Sequence, residues 1–228
     1  MTPRSERWAI SSAIVFAVLY VAGFITLFSG LPSYDSTQDS IDTINKNVID
    51  TYSDPTKRGI AVIGAYVIVI AVVALVYLVS GLRARMRRLG ANDIVADLVF
   101  ATGVIAAVLM SAGALTAATI AGDLSIGNEP LFSADVMRAL PQVAYPLILI
   151  GGMLALAVVI GVTSWMSVRG HLLPRWLGYF GVLAFLAAVS AVLFVPQILV
   201  MLWFLAIGIV AAVNKLPEEP EAPGDTTA

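Results

Sequence analysis

Long apolar runs separated by short charged stretches dominate this chain, and their lengths predict its elements. Runs at 8–28, 60–82, 94–121 and 143–166 each reach the ~20 residues an α-helix needs to cross the ~30 Å hydrocarbon core of a bilayer. A final apolar stretch, 176–213, is too long for one crossing at ordinary tilt. It breaks at Pro196-Gln197, where proline suits the first turn of a new helix better than the interior of an old one. The pattern therefore predicts two further spans, 174–194 and 196–213, joined by a tight turn, with one kinked helix or a re-entrant segment as the rival. The fold class expected is all-α: a polytopic transmembrane bundle of about six spans in one domain, 1–214. The first run exceeds the ~7–15-residue core of a cleavable signal and has no clean small-x-small site after it, so it reads as a retained helix.

The connections fix an expected orientation. Short loops rich in Lys and Arg stay cytoplasmic. Arg83, Arg85, Arg87 and Arg88 crowd the connection between the second and third spans, Arg169 and Arg175 the next connection on that side, and Arg4 and Arg7 the N-terminus. The opposite connections, 30–58 and 122–142, are longer and acidic, with Asp35, Asp39, Asp42, Asp50, Asp54, Asp123, Glu129 and Asp135. Both termini are thus expected in the cytoplasm, and Arg83, Arg85, Arg87 and Arg88 are expected beside anionic lipid headgroups. The acidic, proline-rich tail 215–228 cannot bury a core and reads as disordered.

Two pieces of the outer loops carry helical spacing. Ile41, Ile44, Val48, Ile49 and Tyr52 predict an amphipathic helix on the outer surface, with Ser36, Thr37 or Asp39 as its cap. Val136, Met137 and Leu140 predict a shorter one, capped by Ser133 and stopped by Pro141. Small residues at four-residue spacing (Gly103, Ala107 and Ser111; Gly113, Ala117 and Ala121) and the stripe of Gly181, Ala184, Ala188 and Ala191 predict close helix packing in lipid. Gly151-Gly152 below Pro146 marks a bendable point. Tyr145, Trp165, Trp176 and Tyr179 fall near span ends, as interfacial aromatic residues do.

Composition confirms the class: 59% of residues are hydrophobic and 12% charged, against about 25% charged in soluble domains. A net charge of −2 removes the case for nucleic-acid binding. With no cysteine, the chain can form neither a disulfide nor a thiolate metal site. His171 is the single histidine, too few for bis-histidine haem ligation or an HExxH zinc site. Ser164 and Ser167 near it lack a nucleophile elbow and an orienting acid. Asp35, Asp39 and Asp42 lack the ligand spacing of a calcium loop. Asp97, one turn inside the third span and four residues after Asp93, is the one carboxylate within an apolar run. A proton or cation site is its sharper reading; pairing with loop arginines is the plainer one, which its context favours. No catalytic, cofactor or metal residue is therefore assigned.

The start of the penultimate span, Leu173-Pro174-Arg175-Trp176-Leu177-Gly178-Tyr179, resembles a group of small bacterial multi-spanning membrane proteins of unknown function. They share a basic loop, a Pro-Arg-Trp-Leu-Gly helix start and a short final helix pair. The resemblance covers a small part of the chain; it implies layout and brings no activity. Together these readings lead to the expectation of a non-enzymatic bacterial inner-membrane protein, an accessory, assembly or sensory partner of another protein. The alternative is a small transporter or channel for an apolar or neutral solute.

Overall fold

The computed structural model describes residues 2–33, 39–127, 132–169, 172–190 and 197–213, and among them every regular element is helical. The elements are α1 (Pro3–Ser29), α2 (Ile41–Ser53), α3 (Pro55–Arg88), α4 (Asp93–Ile126), α5 (Ala134–Pro146), a π-helical stretch (Leu147–Gly152), α6 (Met153–Arg169), α7 (Arg175–Val189) and α8 (Gln197–Ala212). Four helical stretches are long and apolar enough to cross a membrane: α1, α3, α4 and the continuous rod from Ala134 to Arg169. Helices α7 and α8 are apolar but shorter, with 15 and 16 residues.

The helices begin and end where local chemistry directs. Thr2 caps α1, accepting the Ser5 amide, and Asn92 caps α4, accepting the Ile94 amide. Asp54 caps α3 through the Thr56 amide at 2.8 Å, with Pro55 in the first turn. That backbone hydrogen bond holds the Asp54 carboxyl below its ordinary range. Its contribution is therefore present above the unfolded carboxylate pKa and is lost as pH falls through the lower folded value. Between α3 and α4, Gly90 takes φ 77°, a left-handed conformation that suits glycine, and the Ala91 amide returns to the Met86 carbonyl.

The long helices form a ring of antiparallel neighbours. Helix α1 lies along α3, α3 along α4, α4 along the π stretch and α6, α6 along α7, α7 along α8, and α8 closes back on α1. The tightest approach is between α1 and α3. A Cβ at Gly64 would collide with the Leu27 backbone, and one at Gly30 would lie 2.5 Å from the Ala61 amide nitrogen. Near the other end, a Cβ at Gly81 would meet the Ala9 side chain at 2.6 Å. At Gly64 and Gly30 the two backbones meet directly, which favours association where lipid supplies no hydrophobic drive. Gly103 receives Val79 of α3, Gly113 receives Ile148, and Gly181 sits against Ser164, so the small-residue stripes read from the sequence do mark interfaces.

The centre is filled by side chains. Phe16, Tyr20, Met110, Met153, Trp203 and Phe204 are all buried; Phe204 meets Phe16 edge-on at 5.1 Å, and the Trp203 indole donates to the Leu177 carbonyl at 3.0 Å. The outside of the ring is as apolar as the inside: Ile63, Ile70 and Val73 on α3, Ile105 and Val108 on α4, and Leu183 and Leu186 on α7 are exposed, Val73 at 67%. Soluble monomers rarely carry such continuous apolar surface.

Several boundaries differ from the sequence expectation. Helix α4 runs on to Ile126, and the loop expected over 122–142 is largely helical. Pro141 does not stop the helix that starts at Ala134; α5 continues through it and through Pro146. Packing of α5 on α4, with Met137 and Ala144 buried, holds the backbone in line, and a wider π turn follows directly after Pro146. Gly151 and Gly152 lie in that turn, facing Leu109 and Met110. The outer amphipathic helix exists as α2, buried on Ile44, Val48, Thr51 and Tyr52, but Ser40 caps it, not Asp39. Ser36, Thr37, Asp35, Ala191 and Pro196 lie outside the described residues, as do Lys215 and the acidic tail.

The α1–α3 contact yields a paired prediction. Gly64→Ala should lower stability by about 1–3 kcal/mol through overpacking against backbone. Gly59→Ala, in the same helix with nothing within 4 Å of the added Cβ, should leave it unchanged or raise it by about 0.5–1 kcal/mol. Thermal unfolding in one detergent, read by circular dichroism, distinguishes the two.

Candidate functional site: the basic end of the bundle

Antiparallel packing gathers the N-termini of α1, α4 and α7 with the C-termini of α3, α6 and α8 at one end. Arg4, Arg7, Arg83, Arg85, Arg87, Arg88, Arg169 and Arg175 stand there against Glu6, Asp93 and Asp97. The opposite end carries Lys46, Lys57, Arg58 and Arg138 against Asp39, Asp42, Asp50, Asp54, Asp123 and Asp135 among the described residues.

At the heart of the basic end is Glu6, 1% exposed, on the first turn of α1. Its Oε1 accepts from Arg85 Nη1 at 3.3 Å and from Arg88 Nη2 at 3.0 Å, both on the last turns of α3. Arg85, 3% exposed, also donates its Nε to the Leu172 carbonyl at 2.8 Å. One carboxylate thus joins α1 to α3, and one guanidinium joins that pair to the connection before α7. Desolvating these charges is expensive, and the cost is offset only because the pairing and the carbonyl contact are both made. Arg85 and Arg88, three residues apart, point to the same side of α3, which lets them share a single partner.

A second cluster lies at the surface beside it. Asp97 accepts from Arg83 Nε at 2.7 Å and from Arg87 Nη2 at 2.9 Å. Arg87 Nε reaches Asp93 at 2.8 Å, so its fork spans both carboxylates of the i, i+4 pair. The Arg83 guanidinium also lies 5.0 Å from the centroid of the Phe100 ring. The side chains of this cluster are about one-third to three-quarters exposed, which limits each pair to roughly 0–1 kcal/mol. Asp97 is therefore bound up with the loop arginines, the plainer of its two readings.

The remaining residues considered from sequence are structural or fall elsewhere. Ser167 is fully buried and donates to the Thr163 carbonyl at 2.6 Å, and Ser164 packs against Gly181. His171 lies outside the described residues. Among the described residues no group of three or more His, Cys, Asp or Glu converges on a common point. Trp165, Trp176 and Tyr179 are exposed near the basic end, and the Arg169 guanidinium covers the Trp165 ring at 3.8 Å. Sequence reasoning missed Glu6. The available signal was its sign: it is the one carboxylate in the first 34 residues, set between Arg4 and Arg7 just ahead of an apolar run.

The two clusters predict unequal responses. Glu6→Gln leaves two arginines without their counter-charge, one of them buried, and should cost about 3–5 kcal/mol, whereas Asp97→Asn should cost about 1 kcal/mol or less. Unfolding midpoints of the purified variants in a common detergent measure both, and equal losses would contradict the assignment of Glu6 as the anchor. Comparison of the chain with protein-family models, with curated proteins and with solved structures found no match.

Proposed function

We propose that this chain is a multi-pass protein of a bacterial cell membrane, with about six spans and both termini cytoplasmic, acting without catalysis as an accessory, assembly or sensory partner of another membrane protein. One observation carries the reading: among the described residues the ion pairs that join one helix to another stand at one end of the bundle, while its middle is filled by Phe16, Tyr20, Trp203 and Phe204. A transporter needs polar groups around an internal path, and a membrane enzyme needs a reactive group facing a cavity. An aromatic, apolar middle supports neither as well as it supports a rigid body that presents surfaces. Helix α2, laid over the acidic end, adds a structured outer face for a partner.

The orientation is supported by the end-to-end charge asymmetry and the positive-inside rule. The absence of native cysteine makes it directly measurable. Asp135→Cys should react with a membrane-impermeant maleimide on intact cells, and Asp93→Cys only after permeabilisation; the reverse pattern would invert the topology. For the functional reading, gentle solubilisation and affinity isolation of the native protein should return the same membrane protein in fixed stoichiometry. Repeated recovery of the chain alone would count against a partner role.

A further inference from the structure

The arginine-rich connection after α3 is the obvious place for anionic lipid, yet Arg83, Arg85, Arg87 and Arg88 all have carboxylate partners. At this end, the arginines without a carboxylate partner among the described residues are Arg169 and Arg175, beside α7, and two on α1. Arg4 and Arg7 make no ion pair among the described residues. Three- and four-residue spacing puts Arg4, Arg7, Trp8 and Ser11 on one face of α1. That face lines a cavity of about 290 Å³ closed on its far side by Ala211 and Ala212, at the C-terminus of α8. Arg7 Nε is buried without an acceptor among the described residues, a donor that costs stability while unpaired.

We propose that this cavity seats the phosphate of an anionic membrane phospholipid, with Arg4 and Arg7 as its cationic ligands and Trp8 packed against the glycerol and upper acyl region. The helix ends do not neutralise the arginines. The α8 C-terminus carries about −0.5 of an elementary charge and the α1 N-terminus about +0.5, which nearly cancel and leave two guanidinium charges. Trp8, 66% exposed at the start of the apolar run, stands where interfacial tryptophans stand, so the cavity lies at headgroup depth. The Ser11 hydroxyl already donates to the Trp8 carbonyl at 2.9 Å and contributes shape, not charge. The apolar walls at Ala211 and Ala212 admit a chain but leave the phosphate only the arginines to pair with.

This inference rests on the membrane reading, and one set of measurements separates the two. The full-length protein is incubated with phosphatidylcholine vesicles containing phosphatidylglycerol, recovered by flotation, and its retained lipids are counted by native mass spectrometry. A protein that does not float with the vesicles removes the membrane reading itself. Given flotation, the wild type should retain phosphatidylglycerol over phosphatidylcholine, and Arg4→Gln/Arg7→Gln should weaken that retention roughly 30-fold, the effect of two basic residues at a membrane surface. Arg4→Lys/Arg7→Lys should restore most of it, because a phosphate accepts a point charge. Arg87→Gln, which disturbs only a paired arginine, should leave it unchanged. Equal retention by wild type and the double glutamine variant, with both showing the same unfolding midpoint, overturns the site. So does anionic-lipid retention that emerges only in a chain ending at residue 213, which would assign the cavity to the protein's own acidic tail.

Discussion

Helix α1 can lie directly on α3 because glycine occupies the points where their backbones meet. Gly64 receives Leu27, Gly30 lies over Ala61, and Gly81 receives the Ala9 side chain, so the two rods approach closely near both ends of their contact. In lipid, where burying apolar surface from water supplies no force between helices, such contact is the main source of cohesion. The consequences extend around the ring. With α1 fixed, its other flank carries Ile14 and Phe16 to meet Gly208 and Phe204 of α8, and the ring closes.

Electrostatics then sets the register at one end. Van der Waals contact between glycine-lined backbones is tolerant of sliding, whereas a buried carboxylate shared by two guanidinium groups is not. Glu6, Arg85 and Arg88 fix which turn of α1 faces which turn of α3, and the Arg85–Leu172 hydrogen bond carries the same constraint to the start of α7. The exposed cluster of Arg83, Arg87, Asp93 and Asp97 is weaker pair by pair, because solvent competes for each charge, but it closes the α3–α4 turn from outside. Of the eight arginines at that end, Arg83, Arg85, Arg87 and Arg88 are paired with its three carboxylates, and the α1 face beside α8 is one place where positive charge stays free among the described residues.

One rod departs from regular geometry. Between α5 and α6 the backbone widens into π-helix after two prolines and over two glycines, pressed against Leu109 and Met110 of α4. Tertiary packing keeps continuous a segment that local rules would have divided. The same stretch offers the bundle a place to bend without unfolding, since a widened turn already accommodates missing amide donors.

The sequence by itself determined the helical class, the four long apolar rods, the amphipathic outer helix, the small-residue interfaces and the concentration of arginine in particular connections. These follow from hydropathy, periodicity and charge, which are local properties of consecutive residues. Asp97 was legible for the same reason: its partners lie within one hairpin, 10 and 14 residues away. Glu6 was not, because its partners stand 79 and 82 residues along the chain and become neighbours only when α1 settles on α3. The passage of the helix through Pro141 and Pro146 was likewise decided by packing on α4, which outweighed a local breaking signal. Which arginines are paired and which remain open to a ligand depends on distances across helices, and only the tertiary structure could decide it.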